Sequence, residues 1–324
     1  MENIPDLWLY LMLSLSVPFL ILTVFHRIYR LEMKRAPFVG KFLRGPGEST
    51  FQQIQSVNED ITTYSTYLFL LPILILVVIF ISLREEISFR TFMAGALIYL
   101  FLVAIYGTKL WRRLKLRRAL RLGYDGEVAV AEEITHLMMD GYHVYHDFPA
   151  ENFNIDHIIV GRCGVFAVET KTRSKRMSKR GGVNAKLIYN GKMIRFPNYT
   201  DTESLKQAER QAQWLQNWLR EAVGDPVRVH PILTFPGWYV EKISRGGIPV
   251  LNPKMIRGFL NVQRKNVLSE SLQQRINHQL EQKCRDVQLS SVQAGQSGEF
   301  KSNEVHVQSE ESPSQDEDYS TSWG

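Results

Sequence analysis

The sequence predicts an all-α membrane region followed by an α/β domain. Near the N-terminus, three stretches of 17 to 19 residues contain no Asp, Glu, Lys or Arg, as helices that cross a bilayer require. After residue 122, a helical apolar pattern gives way to short runs of β-branched and aromatic residues. The predicted order there is helix, three strands, a basic loop with an inserted hairpin, helix and strand. The chain has 324 residues, enough for about two domains.

The uncharged stretches predict three transmembrane helices, at Leu7–Phe25, Ser65–Leu83 and Phe92–Thr108. Six Lys or Arg residues follow the first stretch, two separate the second from the third, and seven occupy Lys109–Arg121. Because basic residues collect on the cytoplasmic side, we expect the N-terminus outside and all residues after 108 in the cytoplasm. Spans without ionisable groups favour an anchor over a transport pathway.

Changes in composition divide the chain into five segments: a membrane region 1–108, a basic juxtamembrane linker 109–122, an α/β domain 123–240, a helical extension 241–287 and an acidic tail 288–324. The tail has little apolar content and is expected to be disordered. The basic linker is interpreted either as a topology signal that lies on lipid headgroups or as a nucleic-acid contact, and its position beside a span favours the first. The two cysteines lack metal-binding spacing, which argues against a zinc site and a disulfide scaffold.

The stretch Asn154–Lys171 places two acids and a lysine at the ends of two strands. A glycine-centred turn joins its two apolar runs, which predicts a hairpin. Glu169 and Lys171 are two residues apart, so their side chains project from the same face of a strand. Folding the hairpin brings Asp156 near Glu169. Two carboxylates and an ammonium group at one sheet edge predict a Mg²⁺ site with a cation beside it.

Two predicted helices flank this hairpin. Tyr124–Tyr142 has apolar residues at helical spacing, and Glu127 lies one turn before Ala131 on the same face. Glu127 is interpreted either as an acid that stabilises the first turn of the helix or as a carboxylate aimed inward at a cation. Thr202–Ala222 has a continuous apolar face, and a final strand, Val227–Phe235, follows it.

The loop Thr172–Asn184 is basic and directly follows the acid and lysine pair. One interpretation is a solvated surface loop, and the other is contact with a polyanionic substrate. The second is favoured because the loop lies about 60 residues beyond the last span, at the limit of the positive-inside rule. The residues expected to bind the substrate are Arg173, Lys175, Arg176, Lys179 and Arg180.

The motifs in these elements, taken together, resemble those of the nuclease-related domain (NERD) family. The motifs that carry the resemblance are Gly126–Glu127, Ile155-Asp156-His157, Gly164-Val165-Phe166 and Glu169-Thr170-Lys171. This family is part of the PD-(D/E)xK superfamily, whose members share a restriction-endonuclease-like αβββαβ core. The resemblance extends from Gly123 to Trp238. The superfamily's proline is replaced by Ile155, a departure that is common in this family.

What the resemblance implies is a metal-dependent nuclease. Asp156 and Glu169 match the metal-binding acids, Lys171 matches the active-site lysine, and Glu127 matches an acid that supports the metal site. Gln207, on the second core helix, matches a polar residue near the site. The implied cofactor is Mg²⁺ or Mn²⁺, and the implied substrate is nucleic acid, with DNA expected.

A second function class stays open beside the nuclease. The basic loop and the basic linker also suit a membrane-tethered module that binds or assembles nucleic acid with little turnover. The expected partners are therefore nucleic acid and the lipid bilayer. A homo-oligomer is left open, because metal nucleases that cut both strands often need two sites. The resemblance and the absence of eukaryotic targeting signals point to a bacterial inner membrane.

Overall fold

The computed structural model describes residues 24, 41–84, 89–175, 185–263 and 268–287. Residues Leu43–Val287 form one compact unit, and a second unit is assigned to the remaining residues. Only residues 24, 41 and 42 of the second unit are described. The predicted span Leu7–Phe25, apart from Val24, and the predicted acidic tail lie outside the described residues.

Two long helices, α1 (Glu48–Arg84) and α2 (Phe89–Thr135), pack side by side in opposite directions. An ion pair joins them, with Arg113 Nε 3.0 Å from Asp60 Oδ2. Further along, the rings of Tyr64 and Tyr67 pack against Tyr106. The 47 residues of α2 give it a length of about 70 Å.

Helix α2 is longer than the sequence predicts. The predicted linker 109–122 is helical and belongs to α2, because all of its residues except Trp111 are Leu, Arg, Lys or Ala, which favour helix. The predicted helix Tyr124–Tyr142 is therefore the end of a helix that begins at Phe89, and a 3₁₀ turn, His136–Asp140, follows it. Glu127 lies inside α2, so its interpretation as a first-turn acid is wrong.

Among the described residues, one helical stretch is long and apolar enough to cross a membrane. This stretch, Phe92–Asp140, is 49 residues long, and none of the residues in its apolar 18-residue window is buried. The third predicted span, Phe92–Thr108, lies within it, and the second, Ser65–Leu83, lies within α1. A transmembrane region of three helices is not confirmed.

A five-stranded sheet forms the centre of the α/β domain. In spatial order its strands are β10 (Val250–Leu251), β8 (Val229–Thr234), β4 (Gly164–Thr170), β3 (Asn154–Gly161) and β2 (His143–Pro149). Strands β2, β3 and β4 are antiparallel neighbours, and β8 pairs with β4 in parallel. Helix α3 (Glu203–Val223) covers one face, and the end of α2 covers the other. The mixed α/β class is confirmed, and the elements follow the predicted order.

A smaller sheet contains β7 (Thr200–Asp201), β6 (Ile194–Arg195), β5 (Lys186–Tyr189) and β9 (Tyr239–Lys242), in that spatial order. Strands β5 and β6 form the predicted inserted hairpin, and the turn that joins them contains Asn190 and Gly191. Gly191 has a φ of 88°, which favours glycine. The other elements are β1 (Phe42–Leu43), a 3₁₀ turn (Pro253–Met255), α4 (Ile256–Val262), α5 (Glu270–Cys284) and β11 (Arg285–Val287).

Candidate functional site

Glu169 is the central acid of the site and lies near the end of β4. Its side chain is 2% exposed, and Lys171 Nζ lies 2.6 Å from its Oε1. Gln207 Nε2 donates a hydrogen bond to the same oxygen at 2.8 Å. The other oxygen, Oε2, is buried and has no hydrogen-bond partner among the described residues. Burying such an oxygen without a partner costs free energy, so its position suits a bound cation.

Asp156 comes close to Glu169 through the pairing of β3 with β4. The last antiparallel pair in this direction is His157 opposite Val168. Continued by one residue, the register sets Asp156 opposite Glu169. There, Asp156 Oδ2 accepts a hydrogen bond from Thr170 N at 2.7 Å. One oxygen of this carboxylate is thus fixed by the backbone of the strand that carries Glu169.

Glu127 approaches the two strand acids from α2, and the glycine before it makes the approach possible. A Cβ atom on Gly126 would lie 1.6 Å from Thr172 Oγ1, far inside contact distance. Gly126 therefore lets α2 pack against the chain just after β4. Glu127 Oε1 also accepts a hydrogen bond from Thr50 Oγ1 at 3.3 Å. The Gly126–Glu127 motif thus has a packing reason as well as a chemical one.

The three acids influence one another electrostatically. Burial raises the pKa of Glu127 to about 7, and the charges of Asp147 and Glu169 contribute to the rise. Burial also raises the pKa of Asp156 well above its usual range, with the charges of Glu169 and Glu127 adding to it. When carboxylates are buried away from water and repel one another, binding of a proton or a cation is favoured. The cluster is therefore suited to hold positive charge.

The oxygen donors fit a hard divalent cation such as Mg²⁺ or Mn²⁺. The described residues contain no group of three His, Cys, Asp or Glu side chains that converges closely enough to enclose a metal ion. Mg²⁺, however, commonly binds one or two carboxylates and keeps several of its waters. Asp156 and the unpartnered Oε2 of Glu169 fit that mode of binding.

His157, which accompanies Asp156 in the sequence motif, is directed to a different contact. Its side chain is buried, and its Nδ1 lies 2.9 Å from Nδ1 of His146 on β2. Burial lowers the pKa of His157, and burial lowers that of His146 to about 4. Both rings are therefore neutral near pH 7, and the pair joins β2 to β3.

The predicted substrate-binding residues are described only in part. Arg173 Nη2 lies 3.3 Å from Asp201 Oδ2, and Asp201 also accepts hydrogen bonds from the first turn of α3. Arg173 is thereby tied to the helix that carries Gln207. Lys175 lies beside Gly237, its Nζ 3.3 Å from where a Cβ on that glycine would be. Arg176, Lys179 and Arg180 lie outside the described residues.

Sequence reasoning missed a second cluster, centred on Asp147 of β2. This buried acid has a φ of 47°, a left-handed conformation that is uncommon outside glycine. Its carboxylate accepts hydrogen bonds from Arg44 and Ser49, which lie 103 and 98 residues earlier in the chain. Local patterns give no signal for contacts between residues so far apart. Asp147 bears on the site because its charge raises the pKa of Glu127.

Comparison with known proteins gives a family match. No curated protein and no solved structure matches the chain significantly. Residues 122–236 match the model of the nuclease-related domain (NERD) family. The match includes the end of α2, strands β2 to β8 and helix α3, and so it covers all five predicted catalytic residues. The chain therefore contains a nuclease-related domain of the NERD family, and its three acids, lysine and glutamine lie within that domain.

Proposed function

We propose that this protein is a membrane-anchored nuclease that hydrolyses phosphodiester bonds in DNA with the help of Mg²⁺ or Mn²⁺. The observation that carries the proposal is the difference between the two carboxylate oxygens of Glu169. One of its oxygens is held by Lys171 and Gln207, and the other is buried without a partner among the described residues. Asp156 and Glu169, with Glu127 in support, would hold the ion.

The side chains around the ion would have separate tasks. A bound divalent cation polarises the scissile phosphate and lowers the pKa of its bound water. Lys171 supplies a fixed positive charge beside Glu169, which would stabilise negative charge that develops on the phosphate. Gln207 orients Glu169 by its 2.8 Å hydrogen bond, and the Thr170 N–H orients Asp156. Arg173 and Lys175, which follow the lysine in the chain, would contact the phosphate backbone.

The test is a cleavage panel with the full-length chain in detergent. Single-stranded DNA, double-stranded DNA and RNA are each incubated with Mg²⁺ or Mn²⁺. Asp156→Asn and Lys171→Ala should each lower the rate by roughly 100-fold or more, as loss of a charge-stabilising group does. Lys186→Ala is the matched control, because Lys186 pairs with Glu241 at 2.9 Å on an exposed part of the smaller sheet. If Lys171→Ala cuts as fast as Lys186→Ala, the catalytic assignment is wrong.

A nucleic-acid-binding module with little turnover is the competing proposal. It is favoured by the helical stretch Lys109–Arg121, whose seven basic residues extend along α2 before the domain. Such a module would bind DNA with a strong salt dependence, and binding would survive Asp156→Asn. Retained binding without cleavage by the wild type on any substrate would favour this alternative.

The membrane anchor rests on the uncharged Phe92–Thr108 segment of α2 and the uncharged Ser65–Leu83 segment of α1. These helices run in opposite directions, as two consecutive spans would. The proposed orientation sets the NERD domain in the cytoplasm of a bacterial cell. Retention of the chain in the membrane pellet after an alkaline wash, and protection of the domain from external protease in intact cells, would test it.

A further inference from the structure

A segment outside the family match contacts two carboxylates of the site region. This segment, Arg44–Thr50, forms the turn before α1 and the first residues of that helix, and we call it the strap. Asp147 Oδ2 accepts hydrogen bonds from Arg44 Nη1 at 2.6 Å, Ser49 N at 2.8 Å and Ser49 Oγ at 2.7 Å. Asn154 Nδ2 donates to Ser49 Oγ at 2.6 Å. The strap is thereby joined to both β2 and the start of β3.

The strap contacts β2 at the residue that lies across from Asp156. The pairs on either side are His146 with His157 and Phe148 with Ile155, so Asp147 lies opposite Asp156 in the register. Asp147 has a φ of 47°. A left-handed residue other than glycine is unfavourable and persists when surrounding contacts hold it. Three of the contacts that hold Asp147 come from the strap.

The strap also contacts Glu127. Thr50 Oγ1 donates to Glu127 Oε1 at 3.3 Å. On the other side, Gly47 has a φ of 66°, and a Cβ there would lie 3.2 Å from Glu127 Oε2 and 2.9 Å from Tyr124 Cδ2. The strap backbone therefore lies directly against this carboxylate. Glu127 is confined between its own helix and a segment that lies 77 residues earlier in the chain.

We infer that the strap is a functional part of the catalytic site. In this inference, Thr50 is a positioning residue for Glu127, and Ser49 is a positioning residue for Asp147, the left-handed residue of β2 that lies opposite Asp156. The NERD domain of residues 122–236 is then completed by a segment at the start of α1, the helix that contains the proposed span Ser65–Leu83. This inference rests on the proposed nuclease function. It adds that cleavage requires the strap, which the nuclease function alone does not require.

The first test measures structure without catalysis. Amide hydrogen exchange of the full-length, metal-free chain is compared for wild type, Thr50→Val, Ser49→Ala and Thr62→Val. Thr62 is the matched control, because it lies on α1 and its hydroxyl donates to Asn58 O within that helix. Thr50→Val should speed exchange of peptides around Glu127 roughly fivefold, the factor for one lost hydrogen bond of typical strength. Ser49→Ala should do the same around Asp147.

The second test measures cleavage. Thr50→Val should lower kcat roughly tenfold and leave KM nearly unchanged, because a displaced catalytic group affects the chemical step. Thr50→Ser keeps the hydroxyl and should restore the rate. In a Glu127→Gln background, Thr50→Val should have no further effect on kcat.

The outcomes separate the strap from the nuclease proposal. If Thr50→Val and Ser49→Ala behave like Thr62→Val in exchange and in kcat, the strap is only a connection and the inference is wrong. If the wild type cuts no substrate but both variants exchange faster, the nuclease proposal fails while the strap still holds the two acids. If kcat falls and Thr50→Ser does not restore it, the positioning role of Thr50 is wrong.

Discussion

Replacing Gly126 by alanine tests the close contact between α2 and Thr172, which lets Glu127 approach the site. The added Cβ would lie 1.6 Å from Thr172 Oγ1 and 2.8 Å from Thr172 Cβ, so the helix and the chain after β4 must separate. Overpacking of this kind costs about 1–3 kcal/mol, and the better helix propensity of alanine offsets about 0.5–1 kcal/mol of that cost. For a unit of this size, each kcal/mol lowers Tm by roughly 2–4 °C. The same separation moves Glu127 away from Asp156 and Glu169, so we expect cleavage to fall more steeply than stability.

Gly123→Ala is the matched control, three residues earlier on the same helix. A Cβ on Gly123 would have nothing within 4 Å, and replacing a glycine inside a helix by alanine gains about 0.5–1 kcal/mol. The Tm of thermal unfolding should therefore fall for Gly126→Ala and rise for Gly123→Ala. Combining Gly126→Ala with Thr172→Ala should recover part of the loss, because the Oγ1 contact is removed and the Cβ contact remains. Equal Tm values for the two single variants would refute the close-approach argument.

Three further results are expected. The pKa of Glu127 is raised to about 7 from 4.5, so its ionisation destabilises the metal-free fold above about pH 7 and this effect is relieved as the pH falls toward 4.5. Glu127→Gln should therefore have a higher Tm than the wild type at pH 8, by a margin that shrinks at pH 5.5; a constant margin would contradict the shift. Mg²⁺ at 100 times its Kd should add about 2.7 kcal/mol of stability, measured as a rise in Tm that Glu169→Gln removes; an equal rise in the variant would place the ion elsewhere. Arg44→Ala leaves the buried Asp147 carboxylate without its charged partner and should cost about 3 kcal/mol in urea unfolding, whereas Arg257→Ala, which breaks the exposed pair with Asp140, should have little effect; similar losses for the two would contradict the buried character of the first pair.

The site residues that could be predicted from the sequence were found either by short-range spacing or by the family resemblance. The spacing of Glu169 and Lys171 in one strand, and the short turn that returns the chain to Asp156, are encoded within 18 residues. Gln207 and the functional reading of Glu127 came from the resemblance, since helical periodicity alone left Glu127 ambiguous.

Sequence reasoning missed two features, the helical state of 109–122 and the strap. The helical state of 109–122 was missed because a run of basic residues was interpreted as a linker, although nothing in it opposes helix. The strap was missed because Arg44, Ser49 and Thr50 reach their partners 77 to 103 residues later. Such partners are chosen by tertiary packing, which no short pattern records.

In the proposed membrane-anchored protein, the continuity of α2 would set how far the site lies from the bilayer. Glu127 follows Thr108, the end of the predicted span, by 19 residues, which is about 28 Å along a straight helix. A flexible tether would let the domain sample a volume of cytoplasm, but a helix braced by α1 acts as a spacer of set length. With Phe92–Thr108 embedded in lipid, Glu127 would stay within about 28 Å of the membrane surface. The proposed nuclease would then cut only nucleic acid brought to that surface, so the distance between substrate and membrane would itself select the substrate.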